Sequence, residues 1–267
     1  MAELTDVRYE VEEGLAWITI DRPERMNSFR ARTVDELIHC FKRAWASPEV
    51  GVVCLTGAGD RAFSAGGDQK QRADTGDYGP SESGLFEVEY LHRLIREVPK
   101  PVIAAVNGYA IGGGHVLHVL CDLTIAAEGA VFGQNGPRVG SFDAGFGSNY
   151  LARVVGEKRA REIWFLCRRY DAATAERWGL VNKVVPAAEL RAEVRRWADE
   201  ILALSPTALR FLKQSFNADT EHIAGLQHVA FTGLEEYVTS DEAREGVRAW
   251  GEKREPDFAP YRARVSR

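Results

Sequence analysis

Two glycine clusters and one acidic turn hold the residues whose types and spacing could do chemistry. The first cluster is Phe63-Ser64-Ala65-Gly66-Gly67-Asp68, and the second is the triple glycine Gly112-Gly113-Gly114, which opens an apolar segment. Three glycines in a row suit a backbone that approaches a ligand closely or takes dihedrals closed to other residues. If a helix begins after the triple glycine, its first amides lack partners and face whatever lies in front of them. Two such turns converging on one point would form an oxyanion hole, with N–H donors fixed where negative charge develops. Packing alone is the competing account of glycine-rich turns. Downstream, Gly140-Ser141-Phe142-Asp143-Ala144-Gly145 adds a hydroxyl and a carboxylate, although Asp also favours turns for conformational reasons.

The elements that must position these residues follow from pattern. Leu15–Ile20, Val50–Thr56, Pro101–Val106 and Leu123–Ala127 are predicted strands, with breaks at Asp21-Arg22-Pro23-Glu24 and after Thr56. Thr33 and Glu36 form a predicted capping box opening a helix to about Trp45. Residues 71–84 are polar and glycine-rich and predict a mobile loop, followed by a helix from Phe86 to Glu97. From about Glu157 the chain is mainly helical, with Ser205-Pro206 as N-cap and first-turn proline, helices over 221–250 and a basic, irregular tail from Gly251. Strands alternating with helices predict an α/β core. Residues 57–62 match the dinucleotide fingerprint formally, but Phe63-Ser64-Ala65-Gly66-Gly67 is a poor helix start, so the required context is missing.

Composition bounds the function. The 267 residues carry a net charge of -5, with 45% hydrophobic and 27% charged residues, which fits one large globular domain. The acidic balance argues against nucleic acid and membrane surfaces as partners. No segment approaches the length of a membrane span, and the acidic N-terminal segment lacks an apolar leader core, so a cytoplasmic location is expected. Cys40, Cys54, Cys121 and Cys167 are far apart in apolar runs, predicting buried reduced thiols rather than a metal site.

The combination FSAGGDQ, KPVIAAVNGYAIGGG, CDLTIAA and FGQNGP resembles the crotonase (enoyl-CoA hydratase/isomerase) superfamily over nearly the whole chain, from Tyr9 to about Phe258. The resemblance implies an α/β crotonase-like spiral of β-β-α units over residues 1–200. It also implies a helical region over 201–267 that closes the pocket and builds homo-trimers, often stacked as hexamers. It assigns the oxyanion-hole amides to Gly67 and Gly113, acting on a coenzyme A thioester. Hydratases of the family carry two glutamates where this chain has Val116 and Gly136, neither able to move a proton, so ordinary hydration is not expected.

Within the superfamily, GQNGPRVGSFD is similar to the 1,4-dihydroxy-2-naphthoyl-CoA synthase family of menaquinone biosynthesis, lyases that close a ring in 2-succinylbenzoyl-CoA by Claisen condensation. That likeness implies Ser141, Asp143, Tyr78 and Tyr237 around the second carbonyl, with Tyr78 and Tyr237 from different subunits. It implies hydrogencarbonate as base in the space left by Gly136, held by Gln134 and Trp164, with Asn135 where threonine is usual. Lys70 and Arg72 would handle a substrate carboxylate, and Lys253 the CoA phosphates; each of these cations is otherwise an ordinary solvated residue. The two ends, GLAWITIDRPERMNSFRARTVDELI and SFNADTEHIAGLQ with SDEAREGV, resemble instead the 2-ketocyclohexanecarboxyl-CoA hydrolases, which open a β-keto ring with water. The synthase likeness is the stronger of the two. A third possibility is a non-catalytic crotonase-fold binding protein, against which the acidic charge and the lack of a basic, aromatic-interleaved patch argue.

Overall fold

Central strands with no polar face set the architecture. In a computed structural model that describes residues 3–265, the chain begins β1 (Val7–Glu12), β2 (Leu15–Ile20), α1 (Ala31–Ala46), β3 (Val52–Gly57) and β4 (Ala62–Ser64). The outermost two residues of the expected N-terminal segment and of the expected tail lie outside the described residues. The chain continues α2 (Gln69–Thr75), α3 (Val88–Glu97), β5 (Val102–Val106), β6 (Tyr109–Ile111), α4 (Gly113–Leu120), β7 (Leu123–Ala127) and β8 (Val131–Gly133). The remainder is α5 (Leu151–Val155), α6 (Glu157–Leu166), β9 (Tyr170–Asp171), α7 (Ala172–Arg177), β10 (Lys183–Val185), α8 (Leu190–Leu202), α9 (Pro206–Ala218), α10 (His222–Tyr237) and α11 (Asp241–Gly251).

The larger sheet runs β1-β2-β3-β5-β7-β10, parallel except for the β1–β2 hairpin. All five residues of β5 are buried, as expected of a parallel strand covered on both faces. A smaller sheet, β4-β6-β8-β9, lies after it in each turn of the chain: β3, β5 and β7 are each followed by a short strand of the second sheet and then by helix. This is a crotonase-like spiral of β-β-α units, built without any repeat in the sequence. The core between sheet and helices is mainly apolar, with Phe41, Phe63, Phe132 and Phe146 fully buried; truncating one to Ala would cost about 3–5 kcal/mol. All four cysteines are buried and free, and burial pushes the Cys40 thiol up to about 12.

Three expectations need correction. The capping box is displaced by one turn: α1 starts at Ala31, and Thr33 accepts from the Arg30 amide at 3.2 Å. Glu36 instead accepts from the amides of Asp6 (2.7 Å) and Val7 (2.9 Å), anchoring β1. The expected loop 71–84 begins as α2, capped by Asp68, whose carboxylate accepts from Gln71 N at 3.1 Å. The tail, expected to be irregular, contains a 3-10 turn over Ala259–Val265. Among the described residues no helix is long and apolar enough to cross a membrane.

Candidate active site

Gly66 and Gly112 both take positive φ, +85° and +57°, where a side chain would strain the backbone. They turn the two glycine clusters toward each other: a Cβ placed on Gly66 would lie 2.8 Å from the Gly113 nitrogen. Gly113 is the first residue of α4, whose earliest ladder bond runs from Val116 N to Gly112 O, leaving the Gly113 N–H outside the helix ladder. Gly67 pairs with Phe29 as in a parallel ladder, through Phe29 N to Gly66 O (2.8 Å) and Asp68 N to Phe29 O (2.9 Å). That pattern turns Gly67's own N–H to the opposite edge of its strand. Gly67 and Gly113 line one cavity of about 530 Å³.

The same cavity is lined by Tyr78, Lys70, Gln134, Gly136, Ser141, Asp143 and Trp164. The Tyr78 ring lies over Gly67, 2.7 Å from where its Cβ would be, and stacks on Phe86 at 4.5 Å. Ser141 is fixed by its amide, which donates to the Gly136 carbonyl at 2.9 Å. Asp143 is the most constrained of the set. Its Oδ1 accepts from Gly145 N (3.1 Å) and Gly147 N (2.9 Å), while Oδ2 lies 3.9 Å from Nδ1 of the buried His92. Gly147 must lack a side chain, because its Cβ would fall 2.7 Å from the Asp143 side chain.

Three expected site residues do not reach this cavity. The buried guanidinium of Arg72 donates to the carbonyls of Val139 (3.2 Å) and Gly140 (3.0 Å), so it braces the acidic turn and is spoken for as a carboxylate binder. The half-buried Tyr237 ring packs on Phe142 of its own chain, with centroids 5.5 Å apart, and burial raises its hydroxyl above the usual range. Lys253 is exposed in the turn after α11, outside the cavity wall.

The hydrogencarbonate arrangement also meets obstacles. The Trp164 indole N–H donates to the Gly147 carbonyl at 2.6 Å and is not available to an anion. A Cβ on Gly136 would lie 2.7 Å from Ser141 O and 3.2 Å from the Trp164 ring, so a side chain rooted there would be crowded although Gly136 lines the cavity. Gln134 remains, its Nε2 3.3 Å from His115 Nδ1 and its Oε1 buried without a partner. These residues do not fit an anion held between Gln134 and Trp164.

Sequence reasoning missed His92, on α3 in the cavity wall, and Phe231 and Leu234 of α10, which supply its apolar side. His92 sits at an ordinary core position of an amphipathic helix, and no local signal marks it.

The profile described as "Enoyl-CoA hydratase/isomerase" matches residues 10–260. Among solved structures, the chain is similar to an enoyl-CoA hydratase from Mycobacterium avium subsp. paratuberculosis K-10. Identity is 30%, the match covers 96% of this chain and 99% of that one, and the TM-score is 0.85. A carnitinyl-CoA dehydratase from Mycobacterium avium 104 matches at 30% identity over 95% and 98%, with TM-score 0.84. A monofunctional enoyl CoA isomerase from M. smegmatis matches at 33% over 81% and 94%, with TM-score 0.70.

Proposed function

The chain belongs to the enoyl-CoA hydratase/isomerase family, and from that membership we propose that it opens a ring β-keto acyl-CoA with water, in the manner of the 2-ketocyclohexanecarboxyl-CoA hydrolases. The observation that carries this reading is Asp143: it lines the cavity shared with Gly67 and Gly113, with one carboxylate oxygen tied to two amides and the other 3.9 Å from His92 Nδ1. The two glutamate positions of the family's hydratases hold Val116 and Gly136 here, neither of which can move a proton, so hydration in that manner is not supported.

The steps balance as follows. Asp143 takes a proton from water as its oxygen adds to the ring ketone, whose own oxygen becomes an oxyanion beside the Ser141 and Tyr78 hydroxyls. The bond from that carbon to the thioester α-carbon then breaks, and its electron pair enters the thioester enolate held by the Gly67 and Gly113 N–H groups. The α-carbon recovers the proton from Asp143. The former ketone is now a carboxylic acid on the opened chain, which loses its own proton to solvent and leaves as a carboxylate.

Ring closure by a naphthoate synthase is the second reading, favoured by the Ser141–Asp143 turn and by Lys70 at the cavity rim. Its substrate brings a carboxylate to the second carbonyl position, and Arg72 is committed elsewhere, which is why ring opening is preferred. Assembly as a trimer or hexamer forms part of the proposal, supported by the exposed Phe211, Leu212 and Phe216 of α9 and Val229 of α10. In such an assembly Tyr237 and Lys253 would act on a neighbour's cavity.

The test is to offer 2-ketocyclohexanecarboxyl-CoA and 2-succinylbenzoyl-CoA separately to the purified protein and weigh the products. Gain of one water by the first supports ring opening, and loss of one water by the second overturns it in favour of closure. If neither CoA thioester binds in solution, the enzymatic reading falls and a binding role takes its place.

A further inference from the structure

Gln227 of α10 is fully buried between two parts of the site. The Phe146 amide donates to its Oε1 at 2.7 Å. A backbone N–H can only donate, so the oxygen end of the carboxamide is fixed, and the end 2.9 Å from His92 Nδ1 is the NH2 group. That nitrogen has protons to give and no lone pair to offer, so His92 Nδ1 accepts. The neutral ring therefore carries its proton on Nε2. Burial holds His92 below the ordinary imidazole range, against the opposing pull of Asp143 and Glu89, the two carboxylates that face it.

The consequence falls on Asp143, whose Oδ2 lies 3.9 Å from the same Nδ1. A protonated Nδ1 would turn toward that oxygen and clamp it as an ion pair. With its lone pair given to Gln227, the nitrogen cannot. Gly145 is the element that lets this happen, since any side chain there would strike Gln227 and push α10 outward.

We propose that Gln227 is a positioning residue that locks the His92 tautomer and so keeps Asp143 Oδ2 unclamped for proton transfer. The proposal rests on the reading of Asp143 as the group that moves the proton. Gln227→Glu keeps the bond from Phe146 N but makes the other end an acceptor only, which draws a proton onto Nδ1 and sets an imidazolium against Asp143.

The experiment has two arms. In the first, the wild-type protein is labelled with 15N-histidine, and the His92 signals are identified by their loss in His92→Asn. They should show Nε2 protonated and Nδ1 bare between about pH 6 and 8, where an ordinary histidine would titrate. In the second, Gln227→Glu should lower kcat at least about tenfold with KM within about threefold, since only the proton-transfer step is affected. In a His92→Asn background the same change should cost less than about threefold, because residues acting through one another are not additive. A protonated Nδ1 in the wild type, or full kcat in Gln227→Glu while Asp143→Asn is inactive, overturns the proposal alone. Normal turnover by Asp143→Asn overturns the reading beneath it as well.

Discussion

The indole of Trp164 is hydrogen-bonded to the Gly147 carbonyl at 2.6 Å, which ties α6 to the far side of the turn carrying Asp143. Trp164→Phe would remove that hydrogen bond, at a cost of about 0.5–1.5 kcal/mol. The measurable result is a lower Tm, with kcat reduced more than acyl-CoA affinity. Because this N–H is already in use, ring-opening turnover should be the same in degassed buffer as with added hydrogencarbonate. A strict requirement for hydrogencarbonate would restore the anion as base.

Gly113→Pro removes one proposed oxyanion donor, but the Gly113 Cβ would also press on the Phe29 ring. The change is therefore best made together with Phe29→Ala and compared with Phe29→Ala alone. Turnover is expected to fall by about two to three orders of magnitude between the two proteins. Equal rates would remove Gly113 from the oxyanion hole.

Asp143→Asn is close to a pure chemical change. An Asn oxygen can still accept from Gly145 and Gly147, so the turn keeps its shape while the second oxygen becomes an NH2 group. Most turnover should be lost, by about two to four orders of magnitude, with acyl-CoA affinity largely kept. A raised KM at unchanged kcat would make Asp143 a binding group instead.

Acid should loosen the C-terminal turn through Glu245. Hydrogen bonds from Arg254, then from the Asp257 amide, pull its carboxyl from the ordinary 4.5 down to about 2. A depressed folded value means the contribution is complete above pH 4.5 and disappears as pH falls toward about 2. Protection of the Asp257 amide against hydrogen exchange, taken relative to its intrinsic rate at each pH, should fall across that window in the wild type. Glu245→Gln does not titrate and should show no acid step, and a step surviving that substitution would assign the effect to another group.

What the sequence made legible follows from how strongly each residue's neighbours constrained it. LAWITI and VIAAV are apolar runs because their strands are covered on both faces, so pattern alone found them. The strands AFS, YAI and VFG have three residues each, too few to express a period, and the second sheet went unseen. α2 was hidden by its polar sequence, although Asp68 followed by Gln71 has the spacing of an N-cap and N3 pair. Gly67 and Gly113 stood out because backbone demands leave a mark on residue type. His92 and Gln227 left none: they lie 135 residues apart on separate helices, and only folding makes them a pair. Arg72 was found as a cation but misassigned, since charge is visible in sequence and its burial is not.

α2 starts from Asp68, next to Gly67, where the carboxylate is held by Arg22 at 2.9 Å, and one turn later Arg72 grips the turn leading to Ser141 and Asp143. Four helical residues advance about 6 Å and do not stretch. On the proposed reading, the two carbonyl-handling ends of the cavity are thus the jaws of a caliper whose opening α2 helps to set. A substrate whose second carbonyl is one methylene too far from the thioester would meet one jaw or the other and not both, so the proposed chemistry would select by length before any bond is broken.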